Sequence, residues 1–244
     1  MVNRAPKRKV MSQAPAPTAD KHAKFTQWAK DRGVEINGVQ AAQIPGRGLG
    51  LLTTRPLKEG QRILFVPEKA MFKPDFAMLK REQLGQASPQ AQLAVSSMLA
   101  FRPSGDKTLP TWSVTWPTQG DFGQGMPMRW SQAMQDRLPP SVQQPLDRQL
   151  ADYAKDWITS RATCDKYGFL ESDFRYHWMI VNSRSFHWKP PRGQAGMMVM
   201  CPFIDYLNHG PTGTTCRVTQ YPTGYEVVAD RDYGKCLSLH TFKP

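Results

Sequence analysis

The chain has 244 residues, of which 40% are hydrophobic, and its 32 Lys and Arg against 20 Asp and Glu give a net charge of +12. This length suffices for one good-sized core, with or without an insertion. No stretch approaches the roughly 18 consecutive apolar residues of a membrane helix, and the basic start of the chain lacks the apolar run of a signal peptide. We therefore expect an intracellular protein, in the nucleus or the cytoplasm, with no membrane partner.

The positive charge favours acidic partners such as an acidic protein surface or chromatin. The basic residues are spread along the chain, and only Arg4 and residues 7–9 form a run. That run resembles a short nuclear-import signal, although a solvated tail would have the same composition. Because no basic stripe alternates with the aromatic residues, we expect no specific nucleic-acid binding.

The four cysteines also limit the possible chemistry. They are Cys164, Cys201, Cys216 and Cys236, and no two have the close spacing that metal sites use. We predict free thiols and no metal site.

Residues 1–19 are rich in Pro, Ala and basic side chains, so we predict a disordered tail. Asp20 is a suitable N-cap for a helix that buries Phe25 and Trp28 and ends at Gly33. Short apolar runs between Gly and Pro follow up to residue 67, and they predict strands.

Three glycines, Gly46, Gly48 and Gly50, lie between two of these predicted strands. A dinucleotide-binding loop would need a helix directly after them. Residues 51–54 have strand character instead, and Pro56 would break an early helix. The glycines therefore predict a β-turn.

Residues 71–171 are helical in tendency, and their tryptophans predict core packing rather than a base-stacking platform. A further helix, capped by Ser172, buries Phe174 and Trp178 and ends at Arg184. A buried strand at 197–203 and a hairpin of strands 214–219 and 225–229 complete the predicted elements.

Four polar side chains, Arg184, Asp205, Asn208 and His209, lie in or beside apolar stretches near the end of the chain. Burying such groups unpaired is unfavourable, so they need partners or a ligand. Each also has a purely structural explanation. Arg184 can cap helix carbonyls, Asp205 and Asn208 can satisfy a turn, and a single histidine is more often structural than functional.

Residues 182–186 and 202–209, together with the glycine-rich residues 44–52, resemble a SET domain, the fold of one large class of protein-lysine methyltransferases. The long helical segment resembles the insert of the branch that contains the Rubisco large-subunit methyltransferase. The resemblance implies an α+β fold of short-strand sheets interrupted by a mainly helical insert. The expected parts are a disordered basic tail (1–19), an N-terminal helix and first SET part (20–70), the helical insert (71–171), a second SET part (172–232) and an aberrant or truncated tail (233–244).

The resemblance further implies an S-adenosyl-L-methionine-dependent protein-lysine N-methyltransferase whose substrate is a lysine side chain of a protein. Lysine and histidine targets both stay open, as some relatives modify histidine. Phe186 would pack under the site, and Asp205 would brace the turn that carries the Asn-His pair. The residues expected to hold the cofactor are Arg47, Gly48, Leu49, Arg184, Asp205, Asn208 and His209.

The pattern departs from a SET domain after residue 233. A Gly-Glu turn, a strand and a Tyr-Gly element with the catalytic tyrosine are expected, whereas the chain continues from Gly234 to Pro244 without one. Tyr221 and Tyr225 are the remaining candidates, outside the expected context, so the catalytic residue is unknown. We therefore expect a truncated chain, weakly active or inactive, with a non-catalytic SET-like protein-binding module as the alternative.

Overall fold

The computed structural model describes residues 20–45, 48–190, 195–210 and 216–241. The predicted basic tail, Gly46 and Arg47 lie outside these residues. The α-helices within them are α1 (Asp20–Asp31), α2 (Phe76–Arg81), α3 (Pro89–Phe101), α4 (Pro110–Ser113), α5 (Gln119–Gly125), α6 (Gln132–Gln135), α7 (Pro140–Lys166) and α8 (Glu171–Arg184). The strands are β1 (Glu35–Ile36), β2 (Val39–Ile44), β3 (Gly48–Thr53), β4 (Arg62–Pro67), β5 (Ser185–Trp188), β6 (Met197–Met200), β7 (Asn208–His209), β8 (Arg217–Tyr221), β9 (Gly224–Val228) and β10 (Ser238–Thr241).

The first helix forms where the sequence predicts it. Phe25 is fully buried and Trp28 nearly so, which gives α1 the apolar face that packs on the core. Gly33 follows the helix with a φ of 84°, a left-handed conformation that glycine adopts without a steric penalty.

Short strands form two four-stranded sheets and one two-stranded sheet. The first sheet has the order β1-β4-β9-β8, the second β2-β3-β10-β7, and β5 pairs with β6. Every pairing between these strands is antiparallel except that of β10 with β7, which is parallel. The second sheet thus joins a segment near residue 50 to segments near residues 208 and 240.

Residues 233–241 differ from the expectation that the end of the chain lies outside the fold. Tyr233 forms a bridge with Leu57, and strand β10 lies between β3 and β7. Leu239 is fully buried opposite Leu51. Gly234 and the following residues form a turn before this strand. A turn and a strand therefore follow Tyr233, without the Gly-Glu pair and the Tyr-Gly element that the resemblance implies.

The helical insert lies between β4 and α8, as expected, and α3 packs along α8. Helix α8 begins at Glu171, two residues earlier than a Ser172 cap would require. The carboxylate of Asp173 instead accepts a hydrogen bond from the Leu170 backbone N–H at 2.9 Å and so caps the helix. The predicted delivery of Arg184 by the last turn of α8 is observed.

Candidate functional site

The glycine-rich strand and the Asn-His strand are in direct contact. Asn208 Nδ2 donates a hydrogen bond to the Leu49 carbonyl oxygen at 3.2 Å, across 159 residues of sequence. A Cβ atom on Gly50 would lie 2.6 Å from Asn208 Nδ2 and 2.6 Å from Ile44 Cδ1. Only glycine permits this approach, so residue 50 is where the two distant segments close on each other.

Gly48 offers open space beside its backbone. Its φ of 73° is a left-handed conformation, and a Cβ atom there would meet nothing within 4 Å. A ligand can therefore approach the main chain at this position, as the sequence resemblance implies. Leu49, the next residue, is half-buried, and its carbonyl is the acceptor for Asn208.

Arg184 and Asp205 form a buried pair beside these strands. Arg184 Nη1 donates to the Asp205 carbonyl oxygen at 3.0 Å and contacts Asp205 Oδ2 at 3.2 Å. Their side chains are 18% and 3% exposed. Burial raises the pKa of the Asp205 carboxyl, while the nearby charge of Arg184 acts in the opposite direction. The pair closes the 3-10 turn Ile204–Tyr206 onto the end of α8.

This geometry differs in part from the role that the resemblance gives to Arg184. Its Nη1 is used inside the protein, so only the remaining part of the guanidinium is left for a ligand carboxylate. Arg184 Nε and Asp205 Oδ1 are buried and have no hydrogen-bond partner among the described residues. Asp205 braces the turn, as expected.

The Asn-His pair has one half-buried and one exposed member. Asn208 is half-buried, whereas His209 is exposed, and both lie in β7 beside β10. Phe186 lies on β5, where its ring packs against Tyr225 with a centroid distance of 5.5 Å. The predicted cofactor residues among the described part of the chain therefore cluster around β3, β7 and the end of α8.

The two candidate tyrosines differ in their surroundings. Tyr225 is buried and its hydroxyl donates a hydrogen bond to the His187 carbonyl oxygen. Burial raises its pKa. Tyr221 is 44% exposed and pairs with Gly224 at the end of the β8–β9 hairpin. A third tyrosine, Tyr206, has its hydroxyl 2.8 Å from His22 Nδ1. Sequence reasoning missed this contact because 184 residues separate the partners.

Metal chemistry and membrane insertion find no structural support in the described ranges. No three His, Cys, Asp or Glu side chains there are grouped closely enough to hold a metal ion. Over the same ranges, every helix is too short or too polar to span a lipid bilayer.

Comparison with known proteins finds relatives that are named for a SET domain or for methyl transfer. No protein-family model matches the chain. SET domain-containing protein 4 of Mus musculus is 24% identical over 210 residues, which cover 76% of this chain and 46% of the relative. Actin-histidine N-methyltransferase of Drosophila melanogaster is 49% identical over 45 residues, covering 18% of this chain and 8% of the relative.

The fold comparison agrees. The solved SET domain of LSMT bound to lysine and AdoHcy superimposes with a TM-score of 0.71 at 16% identity, covering 94% of this chain and 55% of that one. The chain spans about half the length of the mouse relative and of this solved protein. The likeness establishes the fold over nearly all of this chain.

Proposed function

We propose that this chain, which has the SET-domain fold and is related in sequence to SET-domain proteins, is the cofactor-binding part of an S-adenosylmethionine-dependent protein methyltransferase. Its substrate would be a lysine side chain of another protein. The solved relative holds lysine and AdoHcy, which supports both parts of the proposal.

The observation that carries the proposal is the hydrogen bond from Asn208 to the Leu49 carbonyl. It joins the two segments that the resemblance assigns to one cofactor site, although the helical insert separates them in sequence. The contact depends on glycine at position 50, where a side chain would collide with Asn208.

The residues present fit the cofactor. Open backbone at Gly48 can receive a ligand, and the unpaired part of the Arg184 guanidinium offers a cation for a carboxylate. Leu49, Asn208 and His209 would complete the binding surface, together with Arg47. When bound, S-adenosylmethionine supplies a methyl group activated by its sulfonium.

The protein must present the target amine without its proton. A free lysine with a pKa of about 10.4 is neutral only about once in 2,500 times at pH 7, a penalty of roughly 4.6 kcal/mol. A dry, apolar channel lowers that penalty because it disfavours the ammonium. Phe186 and Trp188, on the strand that follows Arg184, both pack against Tyr225 and would form such a wall.

Calorimetric titration with S-adenosylhomocysteine tests cofactor binding. We expect saturable binding by the wild-type chain and a loss of at least tenfold in Asn208→Ala, which removes the donor to Leu49. Gln132→Ala, whose exposed side-chain amide donates to Asp136 at the end of helix α6 in the insert, is the control and should bind normally. Absence of binding by the wild-type chain would contradict the proposal.

Transfer of a radiolabelled methyl group to proteins of a cell lysate tests activity and target residue. Hydrolysis of the labelled proteins separates methyllysine from methylhistidine, and the proposal predicts methyllysine. Methylhistidine alone would agree with a methyltransferase but would contradict lysine as the target residue. Because the chain spans about half of its relatives, a version extended to their length belongs in the same assay.

A non-catalytic SET-like binding module is the second candidate. It is favoured by the absence of tyrosine from Gly234–Thr241, and by the use of the Tyr225 hydroxyl to bind a backbone carbonyl. Strand β10 pairs Thr241 with His209, so Thr241→Tyr adds a tyrosine beside one strand of the candidate site. Methyl transfer gained in this variant supports a latent enzyme, whereas cofactor binding without any transfer supports the module.

An intracellular location, in the nucleus or the cytoplasm, is also part of the proposal, as is an acidic or chromatin-associated partner. The basic run at residues 7–9 supports the nuclear part, and the net charge of +12 supports the acidic partner. A fluorescent fusion with and without Lys7→Gln, Arg8→Gln and Lys9→Gln tests the nuclear part. Equal nuclear signal from both would show that the run is not an import signal.

A further inference from the structure

A hydrogen-bond donor of the helical insert and an acceptor of the candidate site are both buried. They are Trp112 Nε1 and Asp205 Oδ1. Trp112, on α4, is 1% exposed, and its indole Nε1 makes no hydrogen bond of ordinary length to any described residue. The same holds for Asp205 Oδ1. Burying an N–H donor or a carboxylate acceptor without a hydrogen bond is unfavourable. A hydrogen bond between these two groups would remove both costs.

The two groups influence each other. The pKa of the Asp205 carboxyl is raised by burial and lowered by the charge and hydrogen bond of Arg184, and the Trp112 indole lowers it further through its N–H. Arg184 contacts Oδ2. This division leaves Oδ1 as the oxygen that the indole can reach.

The aromatic residues around Trp112 fix the position of its ring. Phe25 of α1 stacks on Trp112 with a centroid distance of 6.1 Å and an interplanar angle of 12°. The ring of Phe25 also packs against Phe203 and Tyr206, which lie on either side of Asp205 in the sequence. Helix α1 therefore holds the insert and the turn against each other, so the indole has little freedom to leave Asp205.

We propose that Trp112 is a positioning residue of the candidate site: its indole N–H donates to Asp205 Oδ1 and fixes the carboxylate that holds Arg184. The inference rests on the proposed function for its consequence, which is cofactor affinity. It gives the helical insert a direct role at the cofactor site, in addition to any contact with the protein substrate.

Trp116 supplies a matched control on the same insert. It is 4% exposed, its Nε1 is likewise buried without a partner, and its ring lies 6.0 Å from that of Trp112. Trp112→Phe and Trp116→Phe remove the same atoms from the same aromatic cluster. Their thermal stabilities should therefore fall by similar amounts.

Calorimetric titration with S-adenosylhomocysteine should separate the two variants. We expect Trp112→Phe to weaken binding about tenfold, as loss of an outer partner of a ligand-holding residue does, and Trp116→Phe to bind like the wild type. A double variant with Asp205→Asn should show no additional loss from Trp112→Phe. Equal affinity of both single variants would overturn the inference.

An NMR measurement on the unmodified protein makes the test independent of cofactor and of variant folding. The indole proton of Trp112 should resonate downfield of that of Trp116 and exchange more slowly with solvent, because a carboxylate accepts it. If this signature is present and the wild type binds no S-adenosylhomocysteine, the proposed function fails while the contact stands. If the wild type binds and the two indoles are indistinguishable, the inference fails alone.

Discussion

The two sides of the candidate site are built in different ways. On the sheet side, Asn208 meets the backbone of Leu49, and glycine at position 50 makes room for it. On the helical side, Arg184 and Asp205 are charged groups largely withdrawn from water, and Phe25 of α1 packs between Trp112 of the insert and Tyr206, the residue after Asp205. On the sheet side, the space between two closely packed segments therefore decides which residues are tolerated. On the helical side, the need to pair buried polar groups decides it.

Removal of one charge on the helical side should have the largest effect. Arg184→Met leaves Asp205 buried without its cation, which is expected to lower the free energy of unfolding by about 3–5 kcal/mol. Chemical denaturation at pH 8 measures it. A loss under 1 kcal/mol would show that the pair is not structurally important.

The pH dependence of this variant follows from the Asp205 pKa. Burial already raises that pKa, and loss of Arg184 raises it further, so the carboxyl of the variant is protonated and neutral up to a higher pH. A raised folded-state pKa contributes stability at low pH that is lost as the pH rises through it. The deficit of Arg184→Met should therefore be smaller at pH 5 than at pH 8. A deficit that grows toward pH 5 would contradict the assignment.

His177 on α8 is a half-buried titratable group of the helical side. Its Nδ1 lies 2.7 Å from the Ser97 hydroxyl, and burial lowers its pKa to about 4. The unfolded chain binds a proton near pH 6.5 and the folded one only near pH 4, so stability is lost as the pH falls through this window. The loss should reach about 3 kcal/mol.

Denaturation between pH 7 and pH 4 checks this expectation, with His177→Gln as the comparison. The variant should lack this part of the pH dependence, although it is less stable at pH 7. Parallel pH profiles for the two proteins would mean that His177 titrates normally in the fold.

On the sheet side, Gly50→Ala should destabilise the protein by about 1–3 kcal/mol, because its Cβ would overlap Asn208 and Ile44. Cofactor affinity should fall as Asn208 is displaced. Gly123→Ala, in helix α5 with nothing within 4 Å of the new atom, is the control and should be neutral or slightly stabilising. Normal S-adenosylhomocysteine binding by Gly50→Ala would separate Asn208 from the cofactor site.

The smallest effect belongs to the exposed pair Lys58 and Asp232, which lies outside both sides of the site. Their atoms are 2.7 Å apart, but the side chains are 81% and 60% exposed. Solvent screens such pairs, so Lys58→Ala should leave the melting temperature and cofactor affinity unchanged. A measurable loss of affinity would show that the site extends to this surface.

The sequence was sufficient to predict the sheet side and insufficient for the helical side. The resemblance to a SET domain predicted that the glycine-rich segment and the Asn-His pair meet, whereas the glycine spacing alone predicted only a turn, because 159 residues separate Leu49 from Asn208. The inferred contact of Trp112 with Asp205 joins the short helix α4 of the insert to a turn 93 residues further on, and no periodicity encodes it. The sequence predicted that the charged residues Arg184 and Asp205 need partners. It did not predict that they pair with each other.

Strand β10 was missed for a different reason. Its four residues include a single large apolar side chain, Leu239, and the preceding turn has Cys236 at a φ of 63°, a position usually taken by glycine. The tertiary environment overrides this weak local signal, since β3 and β7 leave a gap that only a strand can fill with hydrogen bonds.

An NMR titration of the labelled chain with S-adenosylhomocysteine tests the central claim, that β3 and β7 form one cofactor site. We predict that the backbone amides of Leu49 and His209 shift together along one saturation curve, while that of the exposed Ile158 on α7 does not move. Absence of shifts, or shifts in only one of the two strands, would contradict the account.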